Sequence, residues 1–230
     1  MFTTLTLIAS TAAALVLAGW GCYLAAVLRR VRAALADALR CLARDPLTGL
    51  LNRAGLRAAH TAIAAPQPIL VALIDLDEFK TVNDTHGHDI GDALLIEIAD
   101  RIDEAAALHG GVAARLAGDE YAALLPVRGS DLARIAETFV VVIAEPLQLT
   151  VGGDVVKVDA TASVGIAVVD SSDGLEDVAL HRADIAMYHA KRRGGNRHAI
   201  YEPGMAMPPT RLRQGPRVRD RRQLNDEATA

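Results

Sequence analysis

The chain has 230 residues, of which 51% are apolar types and 23% charged, with 28 acidic against 24 basic side chains and a net charge of -4. That balance excludes a disordered chain, a polytopic membrane protein and a strongly basic nucleic-acid binder. Aromatics at 3% are too few for a base-stacking platform, and two cysteines cannot build a disulfide framework.

Residues 1–28 contain no charged side chain. As a helix they would rise about 40 Å, enough to cross a bilayer's hydrocarbon core with some tilt. A cleaved leader would need a basic start, and residues 2–12 hold no Lys or Arg. The expectation is one transmembrane anchor at 1–28, with Arg29, Arg30 and Arg32 kept on the cytoplasmic side. Leu28, Val31, Leu35, Ala38 and Leu42 then follow a heptad seam. Residues 29–44 read either as a parallel dimeric stalk or as one amphipathic helix packed on its own domain.

Asp45-Pro46 ends that helix, because a residue before proline avoids the α region. Residues 53–64 read as a helix and the apolar run 68–75 as a buried strand ending in acids. Ile90, Leu94, Leu95, Ile98 and Ile102 have helical spacing. Residues 112–116 and 121–125 read as a hairpin around Ala117-Gly118-Asp119. A helix over 130–144 precedes a second hairpin signal, with 147–151 and 154–169 on either side of Gly152-Gly153. A helix over 176–192 and a strand near 198–201 complete a domain of mixed strands and helices. From Pro203 four of the nine prolines and six arginines gather, which predicts a disordered tail over 203–230. Such a tail is a solvated extension or, less expected, a basic segment that touches a membrane surface or nucleic acid.

Asp75 and Asp77 close the apolar strand, and Asp119-Glu120 sit at the hairpin turn. Carboxylates placed this way suit a hard divalent cation that also takes substrate phosphates, although acids at strand ends are more often solvated turns. Asn83 and Asp92 have the chemistry to read a guanine edge, the Asp accepting from the ring N–H and exocyclic amine, yet both also cap helices well. His86 and His88 lack a third ligand at zinc spacing.

Taken together, four landmarks stand in order: Asp45-Pro-Leu-Thr-Gly-Leu-Leu-Asn-Arg53, Ile74-Asp-Leu-Asp-Glu-Phe-Lys-Thr-Val-Asn-Asp84 with Gly87-His-Asp-Ile-Gly-Asp92, Arg115-Leu-Ala-Gly-Asp-Glu-Tyr121, and Ser163-Val-Gly165 with Ala183-Asp-Ile-Ala-Met-Tyr-His-Ala-Lys191. This set resembles the GGDEF domain of diguanylate cyclases over about residues 45–202. The resemblance implies an α+β fold, a central mostly antiparallel sheet flanked by helices, similar to adenylyl cyclase catalytic domains and polymerase palms. It implies a homodimer that joins two GTP into cyclic di-GMP with release of two pyrophosphates, using Mg²⁺ or Mn²⁺. By resemblance, Asp75, the backbone carbonyl of Leu76 and Asp119 hold metal, and Asp75, Asp119 and Glu120 are catalytic. Phe79, Lys80, Gly118 and Lys191 meet the GTP phosphates, and Asn83 and Asp92 read guanine. With the anchor, the whole is expected as a single-pass protein of a bacterial inner membrane with its catalytic domain in the cytoplasm. The competing expectation is a catalytically weak module that binds GTP or a partner protein.

Three departures stand out. Ala117 takes the place of a glycine, which would strain a turn requiring positive φ, and Tyr121 takes the place of a phenylalanine. Gly195 stands where an arginine is usual, with Arg192, Arg193 and Arg197 nearby. Leu108-His-Gly-Gly111 replaces an Arg-x-x-Asp product site, so no product inhibition through that turn is expected.

Overall fold

The strand β1, Pro68–Leu76, is buried along nearly its whole length, and its alternate side chains feed two separate cores. Leu70, Ala72, Ile74 and Leu76 face one side, while Ile69, Val71 and Leu73 face the other. A strand covered on both faces has no use for polar alternation, which is why it reads as one apolar run. The computed structural model describes residues 19–35, 41–63, 68–127, 129, 131–170 and 172–207.

Helix α1 occupies 19–35. Helix α2, Arg53–Ile63, starts where the Asn52 side chain accepts from the N–H groups of Ala54 (2.9 Å) and Gly55 (3.0 Å). After β1 come α3, Phe79–His86, and α4, His88–Leu108, parted at Gly87. Then follow β2, Val112–Ala117; β3, Glu120–Pro126; and α5, Leu132–Ala144, capped by the Asp131 carboxylate. Next stand β4, Leu147–Val151; β5, Asp154–Val158; and β6, Ala162–Asp170. A π-helical segment, Leu175–Leu180, leads into α6, His181–Arg192, and β7, Arg197–Ile200, follows.

The main sheet has the order β2-β3-β1-β6-β7. All its pairs are antiparallel except β6 with β7. The expected α+β architecture with a mostly antiparallel sheet is therefore present. One face packs on α4, α5 and the β4–β5 hairpin. The other packs on α2, the π-helical segment and α6.

The sequence reading needs three corrections. Residues 154–169 are two strands, β5 in a two-stranded sheet and β6 in the main one, because the chain leaves pairing at 159–161. Helix α3 was not expected; it has no buried residue, so it lacks an apolar stripe. The final helix opens with a π-helical turn.

Among the described residues no helix is long and apolar enough to cross a membrane. The expected anchor at 1–28 gains no support from them, and 1–18 lie outside them. In α1 the apolar side chains of Trp20, Tyr23, Leu24, Leu28, Val31 and Leu35 are exposed. Most of the expected tail, 208–230, also lies outside the described residues.

Candidate active site

Antiparallel pairing puts Asp75 on β1 directly opposite Glu120 on β3, with Ser163 of β6 on its other side. The hairpin turn Gly118-Asp119 delivers a third carboxylate to the same end of the sheet, and the Leu76 N–H donates to the Asp119 carbonyl (3.3 Å). Lys191, in the last turn of α6, brings its Nζ within 2.6 Å of Asp75 Oδ1. The expected catalytic and metal residues Asp75, Leu76, Asp119 and Glu120 are thus gathered at one sheet end, with Lys191, expected at the GTP phosphates, beside Asp75.

The electrostatics follow from this crowding. Burial pushes the Asp75 carboxyl above its usual range, and the charges of Asp119 and Asp77 add to the rise. The Lys191 ammonium pulls the other way without overcoming it. Burial likewise raises Glu120, with the Asp75 and Asp119 carboxylates adding to the rise and Lys191 and Arg53 opposing it. A cleft of about 290 Å³ opens beside Glu120, lined by Arg53, Leu73, Leu116, Leu180, His181 and Asp184.

Charge-repelled oxygens of this kind suit Mg²⁺ or Mn²⁺, which take one or two carboxylates, waters and substrate phosphates. Among the described residues no group of three or more His, Cys, Asp or Glu side chains is placed to hold a metal ion by itself. The donor set fits a cation shared with a phosphate ligand better than a closed structural site.

Asp77 has a different use from Asp75. Its Oδ1 accepts from Ser163 Oγ (2.7 Å), and its Oδ2 accepts from Thr161 Oγ1 (2.9 Å) and the Asn196 N–H (2.8 Å). Its own N–H donates to the Thr161 carbonyl (2.8 Å). One carboxylate therefore ties the end of β1 to the start of β6 and to the turn that follows α6. Sequence reasoning grouped Asp77 with Asp75 and missed this clasp; its partners lie 84 to 119 residues away.

The departures now have structural answers. Ala117 is not among the residues with positive φ; Gly118 alone takes that conformation in the turn, at 53°. Ala117 therefore carries none of the strain a positive φ would impose, and the β2–β3 pairing shifts register between Arg115 and Ala117. Arg115 fixes the hairpin by donating to the Gly118 carbonyl (2.8 Å) and pairing with Asp45 (3.0 Å). Tyr121 is fully buried and its hydroxyl donates to the Leu95 carbonyl (2.9 Å). Gly195 has φ of +70°, and a Cβ there would stand 2.7–3.0 Å from the Asp77 carboxylate. Arg197 folds back so that its Nε donates to the Gly195 carbonyl (2.9 Å).

The remaining expected residues line α3 and α4. Phe79 packs on the core, while Lys80 is exposed. Glu78, just before α3, has a left-handed φ of 55°, unusual for a residue with a side chain. Asn83 on α3 lies against Gly91 on α4, and Asp92 beside Gly91 is exposed.

A mostly antiparallel sheet with acids at one end and a lysine from the last helix has the donors to take a cation together with a phosphate-bearing ligand. The family model for the diguanylate cyclase GGDEF domain matches residues 42–197, and the chain belongs to that family. It is 39% identical over 167 residues to the bifunctional diguanylate cyclase/cyclic di-GMP phosphodiesterase MucR of Pseudomonas aeruginosa, covering 70% of this chain and 24% of that one. It is 38% identical over 164 residues to the diguanylate cyclase TpbB of the same species, covering 67% of this chain and 37% of that one. The chain thus spans well under half the length of these relatives. Among solved structures it resembles the coiled coil and GGDEF domain of DgcB from Caulobacter crescentus in complex with c-di-GMP. There the TM-score is 0.64 at 29% identity, over 76% of this chain and 94% of that one.

Proposed function

We propose that the protein is a diguanylate cyclase that condenses two GTP into cyclic di-GMP and two pyrophosphates across a homodimer. The observation that carries the reading is the convergence of Asp75, Asp119, Glu120 and Lys191 at one end of the sheet. The 3′-hydroxyl oxygen of each GTP attacks the α-phosphorus of the other, and the bond to the pyrophosphate oxygen breaks. A bound divalent cation supplies charge neutralisation at the phosphates.

The chain's own groups then have defined tasks. Asp75, Asp119 and the Leu76 carbonyl hold the cation. Glu120, with its carboxyl raised, is suited to take the 3′-hydroxyl proton. Lys191 exchanges Asp75 for a phosphate, with Phe79, Lys80 and Gly118 beside it. Asn83 and Asp92 select guanine. DgcB was solved with c-di-GMP, which supports the product class by relationship.

The membrane reading is also proposed: residues 1–28 anchor the chain in a bacterial inner membrane and the cyclase domain is cytoplasmic. Its support is the uncharged run before Arg29, Arg30 and Arg32. A tail beyond the domain is proposed for 203–230. A second reading, a catalytically weak GTP-binding module, is favoured by one observation: Gly195 offers no cation where it packs on Asp77.

The test is incubation of the full chain with GTP and Mg²⁺ or Mn²⁺, with products resolved by liquid chromatography and mass spectrometry. Cyclic di-GMP from the wild type and none from Asp119→Ala is expected. GTP binding with no product from a verified dimer would replace the cyclase by the binding module.

A further inference from the structure

Gly91 lies inside α4, where glycine is the least favoured residue after proline, so a specific contact is expected to explain it. The contact is Asn83. A methyl built on Gly91 would overlap the Asn83 Oδ1, stand 3.0 Å from its Cγ and 3.4 Å from the edge of the Phe79 ring. Gly91 is buried, and its own N–H donates to the Gly87 carbonyl (3.2 Å). Among the described residues the Asn83 carboxamide makes no hydrogen bond that would orient it instead. The amide is seated by shape, with its Oδ1 turned onto the bare Cα of Gly91. Asp92 follows at once on the same helix and is exposed.

We propose that Gly91 is a positioning residue for base selection, the floor that sets Asn83 beside Asp92 at the guanine edge. The proposal rests on the reading of the site as a GTP site. A methyl at 91 shifts the amide but meets the ring of Phe79, which opens α3 and packs on the core, at ordinary contact distance. Base discrimination then falls, while the triphosphate contacts, made by other residues, remain.

Dissociation constants for non-cyclising α,β-methylene analogues of GTP and ATP, measured by calorimetry on the full chain with Mg²⁺, test it. Gly91→Ala is expected to weaken the GTP analogue about tenfold or more and to leave the ATP analogue within about twofold. Asn83→Ala is expected to show the same loss. Gly91→Ala added to Asn83→Ala is expected to add nothing, because the overlap is gone. Should Gly91→Ala alone fold poorly, the double variant is expected to recover wild-type thermal stability. Unchanged discrimination, additive losses, equal loss of both analogues, or a double variant that stays unfolded would each overturn the proposal. A wild type that makes cyclic di-GMP beside a neutral Gly91→Ala removes this inference alone. A wild type that binds neither analogue removes the GTP-site reading with it.

Discussion

Lys191 Nζ stands 2.6 Å from Asp75 Oδ1, joining the last turn of α6 to the end of β1. Asp75 is mostly buried beside other carboxylates, and among the described residues this ammonium is the cation that pairs with it. Replacing Lys191 by Met removes that partner and, in the proposed cyclase, a phosphate ligand. A charge-assisted hydrogen bond contributes about 1.5–3 kcal/mol, so KM for GTP is expected to rise about tenfold or more. Steady-state kinetics over a GTP series checks this, and the metal-free variant is expected to melt lower than the wild type.

Asp119→Asn is expected to lower activity by at least about a hundredfold, the scale for losing one transition-state electrostatic partner. It is also expected to raise the melting temperature of the metal-free protein at neutral pH. Asp75 and Glu120 have folded-state pKa values raised by burial and by neighbouring carboxylates. A raised carboxyl contributes nothing below its unfolded pKa and costs stability once pH has risen through its folded pKa. The stabilising effect of Asp119→Asn should therefore be fullest at neutral pH and shrink as pH falls through the carboxylate range. Thermal melts across pH read both arms.

Tyr121→Phe removes the hydroxyl that donates to the Leu95 carbonyl from a fully buried ring. The expected loss is about 1 kcal/mol of stability, with cyclase activity retained. Denaturant unfolding of the two proteins gives the number.

Gly195→Ala places a methyl 2.7–3.0 Å from the Asp77 carboxylate at a φ of +70°. Strain of this kind costs of order 1–3 kcal/mol, and it falls on the clasp that Asp77 makes with Thr161, Ser163 and Asn196. A lower melting temperature is expected. Gly195→Arg is expected to melt lower too, because its Cβ meets the same carboxylate.

Helix α4 ends at the exposed Leu108, and the turn His109-Gly110-Gly111 that follows carries no guanidinium. Cyclic di-GMP added to the assay is expected to leave initial rates unchanged through this turn. A substoichiometric fall in rate that Leu108→Ala or His109→Ala relieves would contradict it.

Much of this protein is legible from its residues. β1 is an unbroken apolar run because both faces are covered, and the spacing of Ile90, Leu94, Ile98 and Ile102 marks a helix with one core face. The acids Asp75, Asp119 and Glu120 were picked out because strand ends and turns put carboxylates within reach of a shared cation. Pairing decided the rest. Nothing local separates Asp75, which faces Glu120 and Lys191, from Asp77, which is consumed by Thr161, Ser163 and Asn196. Both have the same charge and parity on the strand, and only the position of β6 and of the turn after α6 tells them apart. Likewise the residues alone do not say whether Ala117 or Gly118 takes the positive φ that would strain an alanine; the folded turn puts it on Gly118. Sequence sets the chemistry available at each position. The tertiary fold decides which charges meet and which are already satisfied, because the partners of Asp77 lie 84 to 119 residues away along the chain.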